Sequence, residues 1–271
     1  MGQLVLAAAS CDPAEEVICT PEFVNELFET QVVFSIGSFD VNRAMLLMLL
    51  AAFISVALLY FAFRTPRVVP TKFGVAVEGL VTFVRDEIAI GIIGPSGLAY
   101  FPYLLALFLF ILIGNLFEVT PLINFPITSR MAVPIFLSLL TWLIFIVVGF
   151  AKNGFGYFTG VVWPTSVPIA MRPLVGLIEF ISVFILRPIT LAVRLFANLV
   201  AGHTMLSILL ASGFIFLKSV GDIGIRSAIG LGWFGLGLGI YLFEIAVSFL
   251  QAYIFTLLAA VYIQSSVHPE H

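Results

Sequence analysis

The stretch RPITLAVRLFANLVAGHTMLSILLASGFIFL, Arg187 to Leu217, decides how this chain folds. It exceeds the about 20 apolar residues that cross a bilayer as a helix. Arg194 interrupts it with a permanent charge, which costs about 2.5–3.5 kcal/mol at the bilayer centre on insertion scales, so a charge at such a position indicates a functional site. Asn198 and His203 add further polar groups to the same apolar segment.

The whole chain has the composition of a membrane protein. Of its 271 residues, 61% are hydrophobic and 10% are charged, against about 25% charged in soluble domains. We therefore predict an all-α polytopic membrane protein. The net charge is −3, and no basic patch is present that would neutralise phosphates, so no nucleic-acid partner is expected.

Apolar runs predict five transmembrane helices, at residues 44–63, 99–117, 131–151, 172–217 and 226–266. Residues 71–93 are also apolar, but Glu78, Thr82 and Arg85 recur on one helical face. That pattern favours an amphipathic helix lying in the membrane interface.

The basic residues Arg64, Arg67 and Lys72 follow the first span and predict a cytoplasmic loop, because cytoplasmic loops carry the excess of Lys and Arg. The N-terminus is then outside and, with five spans, the C-terminus is cytoplasmic. We divide the chain into an extracytoplasmic segment, 1–43, and one integral membrane domain, 44–271. Cys11 and Cys19 lie in the first part, either as a pair in an oxidising compartment or as two unpaired thiols.

The last two apolar stretches predict a long tilted antiparallel hairpin. Residues 172–217 would form a helix of roughly 67 Å at 1.5 Å per residue, whereas the hydrocarbon layer is about 30 Å thick. This helix must tilt strongly or break, and Pro188 is the expected kink. With Ile223 as the midpoint of the turn, facing residues have numbers that sum to about 446.

This register places the few polar residues of the two helices opposite each other. Arg194 reaches the level of Gln251, His203 that of Glu244, and Thr190 that of Thr256. Polar groups in lipid need such partners.

The helical period then separates two environments. Arg194 and Asn198 share a face, and His203 points to the opposite side. On the second helix, one stripe contains Glu244, Ser248, Gln251 and Phe255.

Each polar residue also has a purely structural interpretation. Arg194 would then neutralise Glu179 or Glu244 in its own chain, and His203 and Glu244 would form a satisfied pair. Interhelical hydrogen bonds alone would explain Asn198, Gln251, Thr190 and Ser248. We expect Glu118 and Asn115 near a membrane surface, in contact with solvent. One His and one Glu are too few ligands for zinc, so no metal site is predicted.

Two motifs resemble subunit a of the F-type ATP synthases: RPITLAVRLFANLVAGH, and FEIAVSFLQAYIFTLLAAVYI about forty residues later. IGNLFEVTP and the terminal EH fit the same family, and the resemblance covers roughly residues 44–271. It implies that Arg194 is the family's invariant arginine. It likewise matches Asn198, Gln251, the acid/histidine pair His203 and Glu244, and an upstream acid, Glu179. The step from Glu179 to Arg194 is one residue longer than the commonest spacing, as if VFILRP carried an insertion.

The resemblance implies a membrane stator beside a rotating ring of c subunits, together with peripheral-stalk b subunits and the other subunits of the synthase. Arg194 would separate two half-channels for protons; His203 and Glu244 would line the outer one, and Glu179 and Thr190 the inner one. Ser248 is grouped with these residues through its place on the Glu244 stripe. The chain would perform no covalent chemistry and bind no cofactor, and we expect it in a bacterial plasma membrane.

Two other classes of protein stay open. A proton-coupled secondary transporter would use an Arg/Glu/His site within its own bundle and is expected to show internal symmetry between its halves. A structural subunit of a respiratory complex would leave the intramembrane polar residues without a purpose.

Overall fold

The computed structural model describes Ile18 and residues 32–36, 39–64, 71–120, 130–163, 167–219 and 224–267. All structural statements below concern this part of the chain. Cys11, Cys19, Arg67, the turn around Ile223 and the terminal EH lie outside it, so the predictions about them stay untested.

The described chain is almost entirely helical, as predicted. Eight α-helices follow one another: α1 (Arg43–Phe63), α2 (Lys72–Phe83), α3 (Phe101–Val119), α4 (Ala132–Asn153), α5 (Gly156–Val162), α6 (Arg172–Ile181), α7 (Arg187–Lys218) and α8 (Ala228–Val267). Two π-helical segments, Val84–Ile93 and Ser182–Leu186, continue α2 and α6. Short 3₁₀ segments occupy Pro95–Ala99 and Gly224–Ser227.

Five helical stretches in the described residues are long and apolar enough to cross a membrane, which confirms the predicted number. They are Arg43–Phe63, Phe101–Val119, Ala132–Asn153, Arg172–Lys218 and Ala228–Val267. Their ends differ from the predicted ones by no more than about two residues, which is the usual uncertainty of helix ends.

One small β-hairpin was not predicted. Strand β1 (Val32–Ile36) pairs antiparallel with β2 (Phe39–Asn42), and Ile36 lies opposite Phe39. The sequence VVFSIGSFDVN carries the signal for it, because β-branched and aromatic residues flank a two-residue Gly-Ser connection. The segment before the first span thus contains some regular structure.

The predicted interfacial helix is an α-helix that passes into a π-helix. Thr71 caps α2 by accepting a hydrogen bond from the Gly74 N–H at 3.1 Å. In the π-segment, exposed Arg85 donates hydrogen bonds of 2.7 and 3.1 Å to Asp86, which lower the pKa of that carboxyl group. The location of this helix, residues 71–93, at the membrane surface stays a prediction. The Gly- and Pro-rich connection after α4 contains the short helix α5.

The chain divides into two compact units, and each is described by itself. Unit 1 comprises Met1–Met48, Gly114–Ser129 and Ala197–Phe249. Within it, the end of α7 packs antiparallel on the start of α8. A Cβ atom built on a glycine there would lie close to a side chain of the other helix in the pairs Gly202/Glu244, Gly213/Phe234, Gly230/Phe216 and Gly237/Leu210. The numbers of each pair add up to 446 or 447, which confirms the predicted hairpin register within unit 1.

Unit 2 comprises Leu49–Ile113, Arg130–Phe196 and Leu250–His271. Polar contacts tie its helices together: the Tyr103 hydroxyl bonds Thr141 Oγ1 at 2.7 Å, and Asn153 Nδ2 donates to the Ser266 carbonyl at 2.8 Å. Pro188 lies within α7, and the irregular part of this stretch is the π-segment Ser182–Leu186, which ends before the proline and joins α6 to α7. The kink expected at Pro188 itself stays a prediction. Both prolines and π-bulges interrupt the regular helical hydrogen bonds.

Candidate functional site

Arg194 lies on the outward face of α7. Its neighbours Leu191, Ala192 and Leu195 are buried, whereas Arg194 and Val193 are exposed. The alternation follows the helical period, because the apolar stripe packs inward and the opposite stripe, with the guanidinium, points away from the chain. A guanidinium carries five N–H donors and stays charged, so this one is presented to a partner from outside the chain or to water.

Glu179 and Thr190 accompany Arg194 in unit 2. Glu179 lies on α6 and is half-buried. The exposed Thr190 hydroxyl donates to carbonyls of its own helix, to Leu186 at 2.7 Å and to Arg187 at 3.2 Å. Thr256 likewise bonds its own helix, to the Ala252 carbonyl at 2.8 Å. The predicted pairing of Thr190 with Thr256 is therefore not made through these hydroxyl donors.

Gln251 is buried on the inner face of α8, beside Ala252 and Phe255. Its side-chain nitrogen is shielded from solvent and has no hydrogen-bond partner among the described residues. A buried amide donor without a partner costs about 1–3 kcal/mol. Such a group is expected to be satisfied by a partner beyond the described residues, such as water.

A second polar group lies in unit 1 and is deeply buried. His203 of α7 is 1% exposed, Glu118 of α3 is 2% exposed and Glu244 of α8 is 6% exposed. The His203 Nδ1 is 3.7 Å from Glu118 Oε1, and the Glu244 carboxyl group packs against Gly202, the residue before His203. We call these three residues the histidine–carboxylate cluster.

A glycine makes room for this cluster. The carboxylate of Glu244 occupies the space that a side chain at position 202 would need, and a Cβ atom there would lie 2.6 Å from the Glu244 carboxyl carbon. Gly202 precedes His203 directly, so the histidine and the space for the carboxylate come from adjacent residues of α7. This close approach explains why position 202 is a glycine.

Sequence reasoning missed Glu118 and was wrong about its surroundings. Glu118 and Asn115 were expected to contact solvent, but Asn115 is fully buried and Glu118 nearly so. Their nearness to a membrane surface stays a prediction. The end of α3 is covered within unit 1, where Tyr241 of α8 donates to the Val119 carbonyl at 2.7 Å. Asn115 and Glu118 are three residues apart and therefore share one face of an apolar helix. This spacing marks a polar pair, although it does not reveal that the pair is buried.

The remaining predicted residues are distributed over the two units. Ser248 is buried on the Glu244 face of α8 in unit 1, and Asn198 is half-buried on α7. The residues of the stripe predicted on the second helix are buried in each unit: Glu244 and Ser248 in unit 1, and Gln251 and Phe255 in unit 2. Among the residues that the structure describes, no group of three or more ligand side chains suited to a metal ion is found.

The arrangement offers two kinds of chemistry. An imidazole with two carboxylates can accept and pass on protons, because each group has a protonated and a deprotonated form. An exposed arginine cannot, since it does not lose its proton under physiological conditions. The chain thus contains a buried cluster of groups that can be protonated and, on α7, an exposed and permanently charged guanidinium.

Comparison with known proteins identifies the family. The family model described as ATP synthase A chain matches residues 45–264. A protein named ATP synthase subunit a from Frankia alni is 38% identical over 254 residues, covering 91% of this chain and 86% of the relative. Its namesakes from Rhodococcus erythropolis (35% identical, 91% and 90% covered) and Maricaulis maris (34% identical, 90% and 96% covered) are similar over nearly the same length. The chain therefore belongs to the ATP synthase A chain family.

Proposed function

We propose that the chain is the proton-conducting stator of a rotary ATP synthase, placed beside a ring of c subunits and held by peripheral-stalk b subunits. It is a non-catalytic, multi-pass membrane subunit. Its role is to conduct protons to and from carboxylates on the ring, so that proton flow turns the ring and drives ATP synthesis.

One observation carries this proposal: Arg194 is exposed on the outward face of a helix that is long enough to cross a membrane. A bare guanidinium facing lipid is costly, whereas an ionised carboxylate on a neighbouring subunit offers a bidentate partner. Such a ring carboxylate is neutral while it faces lipid and loses its proton when it reaches Arg194, because a nearby positive charge favours the ionised form.

The histidine–carboxylate cluster is proposed to line the outer half-channel. His203, Glu118 and Glu244 form a buried group that exchanges protons, and Asn198, Ser248 and Gln251 supply hydrogen-bonding groups along the same helices. Glu179 and Thr190 are proposed for the inner half-channel. Arg194 separates the two paths for two reasons. Its permanent charge repels a migrating proton, and its guanidinium does not release a proton of its own.

Membership in this family does not favour the alternative of a proton-coupled secondary transporter. A transporter would complete its site within one chain. The outward direction of Arg194 instead supports a partner on another subunit. A structural role alone would leave the buried cluster without a function, and buried charged groups are costly to keep.

The orientation is part of the proposal, with the N-terminus outside and the C-terminus in the cytoplasm of a bacterial plasma membrane. The five candidate spans and exposed Arg64 and Lys72 after the first one support it. Labelling of single cysteines placed at either end would test it. Modification of a C-terminal cysteine by an impermeant reagent added only from outside would contradict the proposal.

The decisive experiment replaces Arg194 and measures ATP-driven proton pumping in inverted membrane vesicles with a pH-sensitive dye. Arg194→Ala should abolish pumping while the complex still assembles. Arg194→Lys should lose most of it, because lysine lacks the planar fork and loses its proton more readily when buried. Arg85→Ala, at another exposed arginine, is the matched control and should pump normally. Near-normal pumping by Arg194→Ala would refute the stator role.

A further inference from the structure

The π-helical segment Ser182–Leu186 separates Glu179 from Arg194. Its defining hydrogen bond runs from the Arg187 N–H to the Ser182 carbonyl, five residues back, where an α-helix would connect residues four apart. A short π-segment of this kind is an α-helix with one extra residue, and such bulges occur frequently at functional sites.

The extra residue leaves one carbonyl without a donor from its own helix. The Val183 carbonyl would accept from the Arg187 N–H in an α-helix, but that N–H bonds Ser182. The next residue, Pro188, has no N–H to offer. Trp142 of α4 takes over, since its Nε1 donates to the Val183 carbonyl at 3.3 Å. The indole ring also lies edge-on to Phe184, with ring centroids 6.2 Å apart.

The end of the π-segment is held as well. The guanidinium of Arg187 lies over the ring of Tyr262 at 4.9 Å and near that of Phe145 at 5.9 Å, and its Nη1 donates to Ser265 Oγ at 3.1 Å. Trp142 and Phe145 are three residues apart and so share a face of α4. One face of α4 therefore contacts both ends of the π-segment, and all these contacts lie within unit 2.

The π-segment changes the direction of Glu179 relative to Arg194. The two residues are fifteen positions apart, which in an unbroken α-helix would turn them by about 60° relative to each other at 100° per residue. Because the bulge takes up one residue, Glu179 and Arg194 are separated by fourteen helical steps instead of fifteen. The angle between them therefore shifts by about 100°, from about 60° in one sense to about 40° in the opposite sense.

We propose that Ser182–Leu186 is a fixed one-residue register element, held by α4 and the end of α8, that sets the direction of Glu179 relative to Arg194. This inference rests on the proposed function, because direction matters only if both residues serve one proton path. The element lets the chain carry one additional residue without rotating the acidic residue away from that path.

Two isoleucine deletions test the proposal. Ile185 is in the π-segment and is 46% exposed, whereas Ile189 is in α7 and is 52% exposed. Deleting Ile185 turns the Arg187-to-Ser182 hydrogen bond into an ordinary α-helical one and leaves both flanking helices in phase. That variant should keep at least about half of the pumping rate. Deleting Ile189 rotates the held segment by about 100° against Arg194 and should reduce pumping by about tenfold or more.

Two control variants separate the effect of a changed helical register from the effect of losing an isoleucine side chain. Ile185→Ala and Ile189→Ala keep the residue count, and both should pump normally in complexes containing normal amounts of this subunit. Equal losses of pumping for the two deletions would overturn the proposal, because the π-segment would then tolerate the loss of one residue no better than α7 does. Normal pumping by both deletion variants would also overturn the proposal, since the direction of Glu179 relative to Arg194 would then not be fixed by the π-segment. Arg194→Ala, measured in parallel, tests the proposed function independently: if it pumps normally, the stator role fails whichever result the deletions give.

Discussion

The two polar regions of this molecule differ in how they are completed. The histidine–carboxylate cluster of unit 1 is enclosed by its own chain, with all three side chains nearly inaccessible. Arg194 of unit 2 is exposed, and α7 turns its apolar residues inward beneath it. Both regions carry ionisable groups in helices of membrane-spanning length, yet only the first has its partners within the chain.

This difference indicates two separate functions. Groups that exchange protons with one another must lie close together and be shielded, so that the protons follow a defined route. A charge that serves a moving carboxylate must be open to it. Under the proposed function, the chain encloses the groups that exchange protons and exposes the arginine, which does not. The predictions below test this division, beginning with the largest expected effect.

The strongest test exchanges the residue types at His203 and Glu244 in the enclosed cluster. His203→Glu alone brings a third carboxylate next to Glu118 and Glu244, and we expect pumping to fall by about tenfold or more, within the range for loss of a proton-transfer group. Glu244→His alone should also impair it. The double variant restores one imidazole and two carboxylates and should recover about half of the rate, because the protons belong to the group as a whole.

The measurement is a double-mutant cycle on pumping rate in vesicles with equal amounts of assembled complex. Strictly additive losses, with the double variant worse than either single one, would mean that the two residues act independently. The cluster would then be a set of separate buried groups. The proposed division between enclosed groups that exchange protons with one another and the exposed Arg194 would then fail.

A smaller effect is expected from the residue that the sequence did not single out. Glu118→Gln keeps the shape of the side chain but removes the ionisable carboxyl group whose Oε1 lies 3.7 Å from His203 Nδ1. We expect pumping to fall by about threefold, because a polar network loses one member while the other two remain. Glu78→Gln, at an exposed glutamate, is the control and should have no effect. Equal rates for both variants would place Glu118 outside the proton path.

Much of this architecture could be predicted because the bilayer limits the choices. Each span must satisfy its backbone hydrogen bonds internally, so apolar length alone gave the five helices. The hairpin register followed from the position of the turn, and the packing of Gly202 against Glu244 agrees with it. What periodicity could not supply was the burial of Glu118, because that depends on α3 packing within unit 1.

The π-segment shows a second limit. Pro188 was expected to mark a kink, and the resemblance to the family implied a one-residue excess before Arg194. Neither feature reveals that Trp142, some forty residues earlier, donates to the Val183 carbonyl. Local propensity describes a helix by its own residues, whereas a π-bulge is stabilised here by a donor from another helix. The short helix α5 and the β-hairpin were missed for a simpler reason, since both are brief elements in segments rich in Gly or polar residues.

The smallest expected effect, and the most selective one, comes from Gly202. In Gly202→Ala the new methyl group would take the place of the Glu244 carboxylate, which is the far end of a flexible side chain and can move aside. Alanine favours a helix over glycine by about 0.8–1.0 kcal/mol, so assembly should be unchanged or improved while the carboxylate is displaced from the cluster. We expect pumping to fall by about twofold, a small part of the effect of removing a proton-transfer group. Gly239→Ala, on α8 with no atom within 4 Å of its Cβ position, gains the same helix propensity without displacing anything and should pump normally. If the two variants pump equally, the contact between Gly202 and Glu244 has no part in proton transfer, and the enclosed cluster reduces to His203 and Glu118.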